Sequence, residues 1–217
     1  LSTSRFLSIL SLEHMNMSSE NAEVLLSNFQ SQFSHLLDVR VHVAVDNGSL
    51  FIDSVTFICP MPDIDTIPHH GPIFNIGISN VPLGITRQFL SVCNSLSKAN
   101  KLHGLRMENV TTDDSVLDLS EAFCLSRIKI RQINLSSEST FLLCNSLSQC
   151  VELVELKFAN LDLGEGQLNL SHALCLLEVN LDSVNMSREC TQLLCDSLSQ
   201  CPQLEKFILR HVNLGHC

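Results

Sequence analysis

SRECTQLLCDSLSQCPQLEKFILRHVNL (187–214) carries two apolar periods, one after the other. Leu194, Leu198 and Cys201 recur at i, i+4 and i+7, one face of a helix, and Arg188 and Glu189 sit in its first turn. Pro202 stops that helix, because proline offers no N–H and its ring clashes with the preceding turn. Leu204, Phe207, Leu209, Val212 and Leu214 then follow the spacing LxxLxLxxVxL, whose central alternation predicts a short strand. One such unit cannot bury its own apolar face and needs a copy on each side.

The copies are present. Fifty-one residues upstream, SSESTFLLCNSLSQCVE (136–152) matches SRECTQLLCDSLSQCPQ (187–203) at 11 of 17 positions without a gap. The strand pattern recurs at Leu125-Ile128-Ile130-Ile133-Leu135, at Leu153-Leu156-Phe158-Leu161-Leu163 and at Leu176-Val179-Leu181-Val184-Met186. Earlier copies are Leu102-Leu105-Met107-Val110, Ile73-Ile76-Ile78-Val81-Leu83 and Leu7-Leu10-Leu12-Met15-Met17. The first positions 73, 102, 125, 153, 176 and 204 are spaced by 29, 23, 28, 23 and 28 residues, so long and short units alternate. Long units carry the helical stretches ITRQFLSVCNSLSK, SESTFLLCNSLSQC and RECTQLLCDSLSQC. Short units carry DDSVLDLSEAFC or GEGQLNLSHALC, a single helical turn at most.

Upstream, residues 1–35 read as one long unit, with Ser19 as the helix N-cap and Glu20 and Glu23 near its start. Residues 43–72 break the rhythm. Val39, Val41, Val43 and Val45 alternate strictly, Asp46-Asn47-Gly48 offers a tight turn, and Leu50 to Phe57 is apolar again. Two readings fit: a hairpin inserted in a short unit, or an extra truncated repeat beginning at Ile52. CPMPDIDTIPHHGP (59–72) holds four of the six prolines and reads as an irregular connector.

Composition agrees with thin stacked layers. The 217 residues are 45% hydrophobic, and Trp and Tyr are absent. A formal charge of −10 argues against nucleic-acid or anionic-membrane binding. No apolar run approaches the roughly 18 residues of a membrane span, and no secretory leader opens the chain. Leu1 and Cys217 read as cuts through a longer array, since neither end shows a polar capping repeat. The ten cysteines are in phase: Cys93, Cys144 and Cys195 share one repeat position, Cys124 and Cys175 another, Cys150 and Cys201 a third. Equivalent residues two layers apart cannot bond directly, so the expectation is reduced thiols buried as small hydrophobes. That points to a cytosolic or nuclear compartment.

LEKFILRHVNL (204–214) and LSRIKIRQINL (125–135), joined through CxSLSQC helices, resemble leucine-rich repeats of the ribonuclease-inhibitor type. Among these, the chain is most similar to the repeat arrays of NLR (nucleotide-binding, leucine-rich repeat) immune receptors. The resemblance implies an α/β solenoid: a horseshoe with a parallel concave sheet, and alternating long helical and short convex units, in one array over 1–217. It also implies a protein-interaction or ligand-sensing segment of an intracellular receptor, without cofactor. Its partner would be a protein or another domain of the same chain. One departure stands out. The family's Asn or Cys at the ninth repeat position is here Met15, Val81, Val110, Ile133, Leu161, Val184 or Val212. Asn follows one residue later at Asn16, Asn134, Asn185 and Asn213. The turn after each strand must satisfy its backbone another way, or through those Asn after a local shift.

Strand residues between the repeated apolar ones face solvent. Seven of the 13 Lys and Arg fall there: Arg106, Arg127, Lys129, Arg131, Lys157, Lys206 and Arg210. Arg106, Lys129 and Lys157 share one repeat position and predict a basic column, interrupted by Glu108, Glu155, Glu178, Asp182 and Glu205. Either this column meets an acidic partner, or it is solubility charge. Asn-x-Ser/Thr sequons at Asn16, Asn47, Asn109, Asn134, Asn169 and Asn185 raise an alternative, an extracellular glycosylated repeat receptor or matrix protein. Three of them share one repeat phase, and the repetition accounts for those. Asp63, Asp65, His69 and His70 lack the paired spacing of a metal site. No nucleophile motif or phosphate loop is present, which argues against an enzyme.

Overall fold

The computed structural model describes residues 9–32, 38–46, 48–55, 73–113 and 116–212. Within these, the strands are β1 (Ile9–Met17), β2 (Asp38–Val45), β3 (Gly48–Val55), β4 (Ile73–Ser79), β5 (Leu102–Glu108), β6 (Arg127–Arg131), β7 (Glu155–Gly164), β8 (Glu178–Met186) and β9 (Lys206–Arg210). The helices are α1 (Ser19–Gln32), α2 (Leu83–Lys98), α3 (Ser137–Leu147) and α4 (Arg188–Leu198). The strands form one nine-stranded sheet in sequence order, parallel except where β3 runs against both of its neighbours. The fold is mixed α/β.

The repeat read from sequence is the register of this sheet. Ile76, Leu105, Ile128, Leu156, Val179 and Phe207 are partners on successive strands. Side chains alternate between faces along each strand. One face therefore presents the repeated Leu, Ile and Val to the helices, and these residues form one continuous hydrophobic cluster with Ile85, Phe89, Leu143 and Leu194. The other face is open to solvent. Burial weakens at the edges of the sheet: on the last strand Phe207 is 42% and Leu209 40% exposed, with no following strand among the described residues. At the opposite edge Met15 is 46% exposed, although its repeat position predicts core.

The helices start and stop where local chemistry directs. The hydroxyls of Ser136 and Ser187 accept from the backbone N–H of Ser139 and Cys190 at the starts of α3 and α4. Helix α4 ends at Leu198 with Ser199 as its C-cap, so Cys201, expected on the helix face, lies beyond it. Helix α3 ends at the equivalent Leu147 with Val151 in place of Pro202, so the proline is not what stops the helix. The cap of α1 is Ser18, whose Oγ accepts from Asn21 N–H, rather than Ser19, whose hydroxyl turns to Asp46. Among the described residues the short units hold turns and no helix: the Ala122 and Leu125 amides donate back to Leu119 and Ala122, and Ala173 and Leu176 repeat this. In the first of them Asn94 of α2 satisfies the backbone directly, donating to Val116 O at 2.9 Å and accepting from Asp118 N–H at 3.0 Å. A single layer of backbone with a side-chain brace replaces the expected helical turn.

The break in rhythm is an inserted strand. β2 and β3 form an antiparallel hairpin through Asp46, with Val41 opposite Ile52 and Val43 opposite Leu50, all four buried. The alternative of a further repeat at Ile52 is excluded, because such a strand would run parallel to β2. The stretch expected to be irregular is thus regular as far as Val55. The connector with Asp63, Asp65, His69 and His70 lies outside the described residues.

The departure at the ninth repeat position has a conformational answer. The eighth residue is left-handed in every parallel unit described from β4 on: Asn80 (φ 51°), Asn109 (48°), Gln132 (53°), Asn160 (50°), Ser183 (55°) and His211 (50°), as is His14 (56°) at the first strand. The N–H groups of Asn80, Asn109 and Gln132 donate to the next strand at Glu108, Arg131 and Ala159 (3.1, 2.9 and 2.9 Å). The bend then drops the following aliphatic residue inward, and Val81, Val110, Ile133, Leu161 and Val184 are each 6% exposed or less. Of the described Asn one step later, neither Asn134 nor Asn185 takes over this role. Asn134 is exposed, and Asn185 instead donates to Asp162 at 3.1 Å.

Each of the eight described cysteines is a free thiol. Burial pushes the thiols of Cys124, Cys144 and Cys150 up to about 12. Cys150 and Cys201 donate to carbonyls one helical turn back, at Ser146 (3.4 Å) and Ser197 (3.6 Å). Cys195 departs from its repeat mates: Cys93 and Cys144 are fully buried, whereas Cys195 on the final helix is exposed. In a chain with Cys59 and Cys217 replaced by Ser, a thiol reagent under native conditions is expected to label Cys195 first. Cys93, Cys144 and Cys150 should react only on the timescale of unfolding. Simultaneous labelling of all eight would refute this burial pattern.

Candidate interaction face

The open face of β4 to β9 consists of three columns, set by the third, fifth and seventh residues of each strand repeat. The first runs Asn75, Gly104, Arg127, Glu155, Glu178, Lys206; the second Gly77, Arg106, Lys129, Lys157, Asn180, Ile208; the third Ser79, Glu108, Arg131, Ala159, Asp182, Arg210. All seven cations singled out by sequence lie on this face, and Arg106, Lys129 and Lys157 stand on adjacent strands in register.

They are not a bare basic column. Glu108 holds Arg106 (2.8 Å) and Lys129 (2.6 Å) together. Lys157 pairs with Glu155 and with Glu178 (3.3 Å), which also holds Lys206 (2.9 Å). The charge of the predicted basic column is offset within the chain by carboxylates one column away. Burial pushes the Glu108 carboxyl up, but its hydrogen bonds from Arg106 and Lys129 outweigh that and hold it below its ordinary 4.5. Lys157 is held above its ordinary 10.5, first by its bond to Glu155.

The sign for stability follows from these directions. Glu108, depressed when folded, contributes stability that is complete above 4.5 and is lost as pH falls through its folded value. Lys157 contributes stability complete below 10.5 and lost as pH rises through its raised value. Since Arg106 (48%), Lys129 (43%) and Lys157 (31%) all remain in contact with solvent, each contribution is at most about 1 kcal/mol. Glu108→Gln is expected to flatten the acid limb of urea-unfolding midpoints between about pH 6 and about pH 3. An unchanged limb would show that the bridge adds nothing.

Three arginines are left over: Arg127, Arg131 and Arg210. Among the described residues none of them has a carboxylate partner within ion-pair distance, and all are exposed. Strand β6, RIKIR, therefore carries two of these three charges, and the third, Arg210 of β9, is the ladder partner of Asp182. Small neighbours leave hollows beside it. One, of about 340 Å³, lies over Gly104 and is bordered by Arg106, Arg127 and Lys129 together with Asp53 and Glu155. The other, of about 200 Å³, lies over Ala159 and is bordered by Lys129, Arg131, Lys157, Asn160, Asn180 and Asp182.

The hairpin adds a feature that sequence reading did not find. Phe51 of β3 lies across Gly77, where any side chain would collide with its ring. Beside it a cleft of about 670 Å³ opens between His14, Met15, His42, Asp53 and Arg106. His42 Nε2 stands 2.7 Å from Asp53. The cross-strand pairing of His42 with Phe51 and of Arg40 with Asp53 follows once the hairpin register is known. The alternating valines were the signal.

No helix is long and apolar enough to cross a membrane, and no group of three His, Cys, Asp or Glu side chains that could hold a metal occurs among the described residues. In comparison with known proteins, no family model matches the chain, and neither the curated proteins nor the solved structures give a significant match.

Proposed function

We propose that the chain is a leucine-rich-repeat solenoid serving as the protein-interaction segment of an intracellular receptor or regulator of the NLR kind, with the open sheet face as its concave binding surface. The observation that supports this reading best is the register. Side chains from β4 to β9 stand in three aligned columns on a sheet backed by one continuous core. A surface of this kind displays residues from many units in fixed relation, so a large partner can be recognised without a deep pocket. Sequence repeats without a nucleophile motif favour binding over catalysis.

Photo-crosslinking tests it. A crosslinking amino acid placed at Arg131 or Asn180 on the open face should trap a discrete partner in cells that express the protein. The same group at Arg188 or Gln192 on α4 should not. Adducts formed only from the helix side would overturn the surface assignment. Glycans on Asn134, which is exposed, would move the chain to the secretory route and overturn the compartment.

A further inference from the structure

We infer that the hollow over Ala159 is a socket for one side-chain carboxylate of an acidic polypeptide partner, with Arg131 as its principal contact. The inference rests on the interaction-face reading above and makes it specific to one place and one chemistry.

The argument is a local charge balance. Of the cations bordering the hollow, Lys129 is shared with Arg106 on Glu108, and Lys157 is held between Glu155 and Glu178. Arg131 has no ion-pair partner among the described residues; its neighbours across the ladder are Glu108, already occupied, and Ala159, which has nothing to offer. The one carboxylate on the wall is Asp182, and it is turned to other partners. His211 Nδ1 lies 3.0 Å from it and Ser183 Oγ donates to it at 3.2 Å, and the His211 bond leads the causes that hold its carboxyl below the ordinary value. Arg131 adds one positive charge and the Arg106–Glu108–Lys129 group a second, while Asp182 subtracts one and has Arg210 as its ladder partner. The surplus around the hollow is positive, which calls for an anion, and the shape of the donors selects a carboxylate.

Geometry favours the same guest. The guanidinium is a planar fork that pairs with a planar carboxylate through two parallel N–H···O bonds. The side-chain amides of Asn160 and Asn180 also border the hollow, have no hydrogen-bond partner among the described residues, and can donate to the same oxygens. Ala159 supplies the space: any longer side chain at that outward position would fill it.

The test uses the whole chain and a short fluorescein-labelled oligoglutamate peptide, followed by fluorescence anisotropy at low salt, with an oligoglutamine peptide as reference. Arg131→Gln and Ala159→Phe are each expected to weaken glutamate-peptide binding about tenfold, by removing the fork or filling the space. Arg131→Lys should restore only part, and Arg188→Gln on α4 should bind like the parent. Unfolding midpoints accompany each variant, and if Ala159→Phe does not fold, the two Arg131 variants carry the comparison. If Arg131→Gln and Ala159→Phe bind like the parent while Arg106→Gln or Lys206→Gln weakens binding, the socket is wrong and the face reading stands. If no open-face variant matters, or Arg188→Gln weakens binding equally, both fall. Displacement of the peptide by inorganic phosphate, but not by acetate at equal ionic strength, would overturn the choice of a carboxylate.

Discussion

Leu143→Asp is expected to abolish cooperative folding at room temperature. Leu143 is fully buried between α3 and the sheet, and it occupies the repeat position that Leu194 holds in α4 (1% exposed). Removing the Leu side chain forfeits about 2 kcal/mol of burial, and leaving an unpaired carboxylate in the same space costs several kcal/mol more. The total rivals the roughly 5–15 kcal/mol by which domains of this size are stable. Leu194→Asp should be severe but milder, because the outer side of α4 is already open at Cys195. Equilibrium urea unfolding checks the order of the two. A Leu143→Asp chain with the parent's midpoint would refute the assigned helix face. Arg131→Gln, on solvent, provides the baseline at which nothing should move.

The second large effect concerns the left-handed bends. Asn tolerates φ near +50° because its short polar side chain finds local partners, whereas a β-branched residue there is a true outlier. Asn80, Asn109 and Asn160 all take this conformation, and the amide of Asn109 donates to Asn80 Oδ1 at 2.5 Å. Asn80→Val, Asn109→Val and Asn160→Val should each cost about 1–2 kcal/mol and, combined, about 3–6 kcal/mol. The same positions changed to Gly should stay within about 1 kcal/mol of the parent, since Gly enters this region freely. If Val and Gly series destabilise equally, the side chains matter through contacts and the bend does not.

These two expectations differ in how legible they were. The helix face of Leu143 and Leu194 and the strand registers were readable because burial leaves a period of 3.6 or 2, and the repeat confirmed each reading several times over. The left-handed position was not, because its occupants are Asn, Asn, Gln, Asn, Ser and His, and only Asn signals that conformation strongly. The absence of β-branched residues at that position was the available clue. Sequence placed the seven cations on one face, as a basic column interrupted by carboxylates, but did not show which carboxylate holds which cation. The part played by Glu108, two residues after Arg106 on the same side of one strand, was visible in principle. The role of Glu155 and Glu178 depended on the register between strands. The helix-free short units and the direction of β3 were beyond local pattern: whether a strand runs with or against its neighbour is decided by chain connection, and alternating valines suit both.

The sequence-order sheet has a consequence for how the protein is made. Every strand from β2 onward takes its hydrogen bonds from the one before it, including the reversed β3. Among the described residues no strand waits for a partner encoded far downstream, so loop-closure entropy is met in small instalments rather than all at once. On a ribosome, each new layer meets a finished edge as it emerges, and the growing end offers only one unpaired strand at any moment. Synthesis from the N-terminus and assembly of the sheet run in the same direction.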